Sequence, residues 1–183
     1  NGNILVLAWE RKTANEAFGI GRQTIDNPLN EMWSEAILEL ELVGSNNANI
    51  VWEWHLWDHL IQDIDPELPN YGVVADHPEL QDINYGNVGS MSDPLGPNGD
   101  WKHLNSIDYN EDLDQIIISS RHHDEIYIID HSTTTEEAAS SSGGNSGKGG
   151  NYLYRWGNPQ TYGRGNELDH LLSVQHGVNW IQK

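Results

Sequence analysis

The chain has no cysteine, a single phenylalanine and only nine lysines and arginines among 183 residues. Without cysteine there is no disulfide frame, no thiolate zinc site and no thiol nucleophile, and the redox compartment stays open. Against the nine cationic side chains stand 28 aspartates and glutamates, a formal net charge of −19. Such a field repels nucleic acid and anionic membrane, so neither is expected as a partner. No run approaches 18 apolar residues, and no membrane-spanning helix is expected. Helical periodicity is scarce: Thr13 to Phe18 and Trp57 to Gln62 each support a turn or two. Hydrophobic residues still make up 37%, enough for a packed core, and the length fits one domain. What is abundant is aromatic surface with a polar handle. Eight Trp and seven Tyr suit β-sheet proteins with wet clefts.

Strand signals dominate. Asn1-Gly2-Asn3 has hairpin-turn chemistry, and Ile4 to Trp9 follows as a strand. Ala36 to Leu42 alternates, with Leu38, Leu40 and Leu42 expected on one face and Glu39 and Glu41 on the other. After the turn at 44–47, Asn49 to His55 sets Val51, Glu53 and His55 against Trp52, Trp54 and Leu56. The region Asp58 to Asp100 holds five prolines and no periodicity, the mark of an insertion wrapped over other structure. From His103 the spacing is regular, with strands expected at 106–109, 115–119, 125–130 and 152–156. Four short antiparallel strands in series describe one propeller blade. The fold class expected is all-β, about two blades of a larger propeller. Residues 1–57 would form strands two to four of one blade, and 58–102 an insertion capping the channel. Residues 103–157 would form a complete blade, and 158–183 a connection with the first strand of the next blade, at 176–181. A strand that begins on the second arm of a hairpin and another without a following partner suggest a piece of a longer protein.

Several constellations compete for chemistry. The Ser/Thr/Gly segment 132–150 is low in complexity and is expected to be a flexible solvent loop. Its Gly147-Lys148 fails as a phosphate loop, because Ser142 replaces the first required glycine and Gly149 the Ser/Thr. His55 and His59 around Trp57-Asp58, or Asp63, Asp65 and Glu67, have loose metal spacing that polar loops produce freely, and Pro66 interrupts the second. No metal or other cofactor is expected. His122-His123-Asp124 is expected as an exposed turn. No Gly-x-Ser-x-Gly signals a serine nucleophile, and no spacing singles out a carboxylate pair. The strongest set is His103, Asn105, Arg121 and His176. His103 and His176 each open an expected inner strand, and inner strands line a propeller's channel. Arg121 ends the neighbouring strand. Arginine gives a planar fork of donors, asparagine another donor, and imidazole a donor, proton shuttle or nucleophile. Such a set fits transfer of a sulfuryl or phosphoryl group. From spacing alone, inner-strand histidines that merely satisfy buried backbone groups are the simpler reading.

Longer stretches carry a resemblance. Asp100-Trp-Lys-His-Leu-Asn-Ser-Ile-Asp-Tyr-Asn110, Ile116-Ile-Ile-Ser-Ser-Arg121, Tyr127-Ile-Ile-Asp130, Leu153-Tyr-Arg-Trp-Gly-Asn-Pro-Gln160 and Gln175-His176 resemble the bacterial arylsulfotransferases. Asn1-Gly-Asn-Ile-Leu and Val51-Trp-Glu-Trp extend the likeness over nearly the whole chain. The resemblance implies a six-bladed propeller with its active site in the central channel. It implies sulfuryl transfer between phenolic compounds by a ping-pong route, without a nucleotide donor, in the periplasm or outside the cell. By the same resemblance, His176 takes the sulfuryl group covalently, while His103, Asn105 and Arg121 hold its oxygens. A further family histidine would fall before residue 1. The partners implied are phenolic sulfate donors, phenol acceptors, the rest of the propeller and a second copy in a homodimer. Two rival readings stand beside this one: a secreted propeller binding an anion or polymer without turnover, and a sulfate or phosphate ester hydrolase.

Overall fold

The computed structural model describes residues 2–90 and 94–181. Asn1, the first residue of the expected opening turn, lies outside them; Gly2 has a left-handed φ of 86°. Strand β1 (Ile4–Thr13) runs into a short helix α1 (Ala14–Gly19), started by a reciprocal cap. The Thr13 hydroxyl accepts the Glu16 N–H, and the Glu16 carboxylate accepts the Thr13 N–H. Strands β2 (Glu31–Val43) and β3 (Asn47–His55) complete an antiparallel sheet in the order β1-β2-β3. A parallel pair, β4 (Leu60–Ile61) and β5 (Gln81–Asp82), pins the long connection that follows. The second large sheet is antiparallel in the order β6 (Leu104–Asn110), β7 (Gln115–Ser120), β8 (Glu125–Asp130) and β9 (Tyr154–Trp156). The protein is therefore all-β, with α1 and α2 (Thr135–Ala138) as its α-helices among the described residues. Trp57 to Gln62 yields one 3-10 turn, Leu56–His59, and then β4.

One apolar cluster joins both large sheets. Ile37, Trp52, Trp54 and Leu56 come from the first side and Ile116, Ile118, Tyr127 and Ile129 from the second. Of the two faces that alternation separates in β3, the one carrying Trp52 and Trp54 is buried, and Leu56 just beyond the strand continues it. In β2 the expected alternation fails. Glu39 is buried, bonded to Asn3 Nδ2 (2.7 Å) and His131 Nε2 (3.0 Å), while Leu42 is exposed. A bulge between Glu39 and Leu40 shifts the register there. A polar partner across the sheets, which sequence periodicity does not show, decides which side is inside.

Segment 132–150, expected as a solvent loop, is partly exposed but contains a short helix and buried anchor residues. Helix α2 opens with a Thr134–Glu137 capping box, and Ala138 is fully buried. Trp52 Nε1 donates to Thr133 Oγ1 (3.1 Å) and Trp54 Nε1 to the Gly150 carbonyl (2.7 Å), so both ends of the segment are anchored on β3 while residues 145–148 stay exposed. A Cβ on Gly150 would lie 2.0 Å from the Ala138 carbonyl oxygen. This crowding, not flexibility, is one reason for the glycine.

The connection between β3 and β6 buries loop carbonyls, and two arginines satisfy them. Arg22 donates to the carbonyls of Ile83 (2.6 Å) and Gly86 (2.7 Å), and Arg155 to those of Pro78 (3.2 Å) and Leu80 (3.0 Å). Arg155 also forms a buried pair with Glu125, through Nε (2.9 Å) and Nη2 (2.6 Å). Beside it Lys102 is wholly buried, donating to Gln81 Oε1 (2.6 Å) and Tyr127 OH (2.8 Å). Burial and the nearby Arg155 push the Lys102 ammonium well below its ordinary range.

The segment 176–181, expected as an inner strand, forms no ladder. It lies beside β6, held by side chains: Val178 N–H donates to Ser106 Oγ (3.0 Å) and Trp180 N–H to Asp108 Oδ2 (2.7 Å).

Candidate functional site

The antiparallel pairing of β6 with β7 brings the start of one strand beside the end of the other. His103 precedes β6 and Arg121 follows β7, and the backbone joins them directly: Arg121 N–H donates to the His103 carbonyl at 3.1 Å. The next rung is His122 N–H to the Lys102 carbonyl, also 3.1 Å. His103 has a left-handed φ of 54°, a conformation costly for a non-glycine residue. These residues edge an open cavity of about 610 Å³, which Asp100, His103, Arg121, His122 and Asp124 line together with the loop around Asn98.

Gln175 delivers the second predicted histidine. Its Nε2 donates to the carbonyls of Ser120 (2.8 Å) and Glu125 (3.1 Å), and its own carbonyl accepts Asn105 Nδ2 (2.9 Å). This anchoring sets the His176 ring 5.6 Å from the His103 ring, centroid to centroid. His103, Asn105, Arg121 and His176 are thus gathered at one end of β6, although 73 residues separate His103 from His176. Their placements differ. His103 and Arg121 line the cavity, while Asn105 and His176 stand beside it, and Asn105 commits one amide proton to the backbone that carries His176.

Three acidic or imidazole groups in this region were not singled out by sequence. Asp100 is buried, and its Oδ2 accepts His103 Nδ1 at 2.5 Å, which fixes the ring and leaves Nε2 without a hydrogen bond among the described residues. The other oxygen, Oδ1, has no partner either. The His122 ring lies tilted against His103 with centroids 5.0 Å apart, and Arg121 Nη1 lies 3.2 Å from its Nε2. Burial pushes His122 below its ordinary range, opposed by Asp100 and reinforced by His103 and Arg121. Glu35 of β2 is buried next to this group. Desolvation, with the Asp100 charge second, raises it to about 8. The i, i+3 spacing of Asp100 and His103 was a usable signal for the first. Glu35 gave none, because only tertiary packing brings β2 to the start of β6.

The turn His122-His123-Asp124 divides instead of being uniformly exposed. His122 is exposed, but His123 is fully buried between the Tyr85 and Trp101 rings and against Lys102 Nζ (3.2 Å). Desolvation pushes His123 well below its ordinary range, the neutral form. The loose metal spacing of His55 and His59 comes apart as well. His59 is buried, stacked on Trp54 and bonded to Asn151 Oδ1 and the Ala138 carbonyl (both 2.8 Å), whereas His55 pairs with Glu10.

A family model described as Arylsulfotransferase (ASST) matches residues 1–143, more than three quarters of the chain. The chain belongs to the arylsulfotransferase family. The match includes His103, Asn105 and Arg121 but ends before His176, so the family places three of the four residues within its span and the fold brings the fourth to them. No curated protein and no solved structure matches the chain. At the family's level the chain is a sulfotransferase acting on small molecules. No helix among the described residues is long and apolar enough to cross a membrane.

Proposed function

We propose that this chain transfers a sulfuryl group from a phenolic sulfate ester to a phenol through a sulfohistidine on His176. The observation that carries the reading is the approach of His176 to the His103–Arg121 pair, inside a chain of the arylsulfotransferase family. A ring nitrogen of neutral His176 attacks sulfur, the bond from sulfur to the phenolic oxygen breaks, and its electron pair leaves on that oxygen. Charge then spreads over three equatorial oxygens, which preorganised donors stabilise more than the ground state. Arg121 supplies the fork, His103 a ring donor and Asn105 its second amide proton, while its first keeps the Gln175–His176 segment in place. Asp100 holds His103 by Nδ1, so Nε2 exchanges the proton: it gives one to the departing phenoxide and takes one from the incoming phenol. The acceptor oxygen then attacks sulfur, the nitrogen–sulfur bond breaks, and His176 is restored.

The two large sheets serve as neighbouring blades of a six-bladed propeller, with 58–102 as the cap over its channel and 176–181 as the first strand of the following blade. A strand of that kind pairs within its own blade, which accounts for its lying beside β6 without a ladder. The rest of the propeller, a second copy in a homodimer and a periplasmic or extracellular setting belong to the same proposal. So does one further channel histidine upstream of residue 1.

The test uses the full-length protein and a chromogenic aryl sulfate, with and without phenol. Phenol-dependent release is expected; release without phenol indicates hydrolysis, and no release indicates a binding propeller. Mass spectrometry after brief exposure to donor alone should find one sulfuryl adduct on the peptide holding His176, and His176→Ala should lose adduct and turnover together. An adduct elsewhere, or normal turnover by that variant, overturns the assignment.

A further inference from the structure

We propose that Asp100, His103 and His122 form a binding site for a divalent transition-metal ion of the zinc type, at the edge of the cavity. One ligand atom from each of the three lies within 4.8 Å of the others. Zinc bonds of about 2.0–2.2 Å set neighbouring ligand atoms roughly 3.4 Å apart, so the Asp100–His103 contact of 2.5 Å would open and the Asp100–His122 separation of 3.9 Å would close. The backbone already holds the trio in place. His103 and His122 flank the β6–β7 rungs, and Asp100 stands three residues before His103.

An independent observation points to a cation. The Asp100 side chain is more than nine-tenths buried, yet its Oδ1 has no hydrogen-bond partner among the described residues, and the residue lines the cavity. A buried carboxylate oxygen left without a donor is costly, and an ion held by both oxygens of Asp100 would remove that cost. The donor set discriminates among ions. Two imidazoles and one carboxylate suit zinc, cobalt, nickel or copper, whereas calcium and magnesium prefer all-oxygen cages. Three protein ligands facing an open cavity also leave a position for water or another ligand.

The opposing terms are specific. His103 Nδ1 now bonds to Asp100 Oδ2, so the ion takes the place of the proton between them, and that proton leaves to solvent. His122 Nδ1 gives up a long contact to the Trp101 carbonyl (3.3 Å). The Arg121 guanidinium, 3.2 Å from His122 Nε2, must swing outward because its charge repels the ion. Asp100 supplies the negative potential on the other side, and Glu35, raised to about 8, adds its charge only above that pH. A bound ion removes His103 from proton exchange, so zinc is an inhibitor of the transfer proposed above. Binding itself does not depend on that reading.

The test is metal titration of the chelator-stripped full-length protein, with zinc followed by calorimetry and cobalt by visible absorption. One ion per chain is expected, with the intense absorption of low-coordinate cobalt carrying nitrogen ligands. His122→Gln should weaken binding by more than about 10-fold, since even partners one shell further out cost 10–100-fold. Asp100→Asn should abolish it, and His77→Gln, outside the cluster, should leave it unchanged. His122 is exposed, so its variant decides the matter if Asp100→Asn does not fold. No stoichiometric uptake by the wild type, or uptake by His122→Gln equal to wild type, overturns the site even where sulfuryl transfer is intact.

Discussion

Glu35→Gln in the full-length protein isolates the energetics of a single buried charge behind the site. Glu35 is 2% exposed, and the hydrogen bond it accepts from the Leu104 N–H is long, at 3.4 Å. Desolvation and the Asp100 charge raise its pKa from 4.5 to about 8, and the Lys102 charge offsets only part of this. Between those values the folded protein holds a proton that the unfolded chain has released. Stability therefore falls as pH rises across that window and stops falling above about 8. At 1.36 kcal/mol per pH unit the loss is on the order of 3–5 kcal/mol. Glutamine keeps the shape and the acceptor but cannot ionise. The variant and the wild type should melt together at pH 5, and the variant should melt several degrees higher at pH 8.5. The assay is thermal unfolding at half-unit pH steps, read as the difference between the two proteins. Taking the difference cancels the titration of His59, whose pKa burial lowers, and of Asp82, whose pKa burial raises. A difference that does not change with pH, or a variant less stable throughout, would refute the account of Glu35.

Arg121→Ala should slow sulfuryl transfer by about 10²–10³-fold, the scale for loss of one oxyanion donor, with little change in melting temperature. A loss under about 3-fold removes Arg121 from the oxyanion site. Arg155→Met should cost about 3–5 kcal/mol in denaturant unfolding, because Glu125 stays buried without its cation. Adding Glu125→Gln should recover part of that loss, and a double variant no better than the single one would contradict the pairing.

The strands were legible from alternation and turn chemistry, because short antiparallel strands joined by tight turns are local objects. All seven strands of the two large sheets stand where alternation placed them, though β1 and β2 run several residues longer. The pairing of His103 with Arg121 was legible for the same reason, since one hairpin, β6–β7, brings both to one end. Segment 132–150 was not, because small polar residues look alike whether solvated or filling a gap. Its order comes from Trp52 and Trp54, about 80–100 residues earlier in the chain. Glu39 and Glu35 were misplaced or missed because a carboxylate's side of a sheet depends on donors elsewhere in the fold.

The sequence by itself determined the all-β class, the strong negative charge, and the family that the chain belongs to. The first two follow from period-two alternation and from composition; the third rests on short motifs spread along the chain. Tertiary structure alone decided that Gln175, tied to Ser120, Glu125 and Asn105, sets His176 beside His103. It alone joined Asp100 to the histidines at 103 and 122, put Glu35 behind them, and buried His123 within the turn expected to be exposed. Burial and the meeting of distant side chains depend on what the opposite sheet contributes, and no local pattern encodes that.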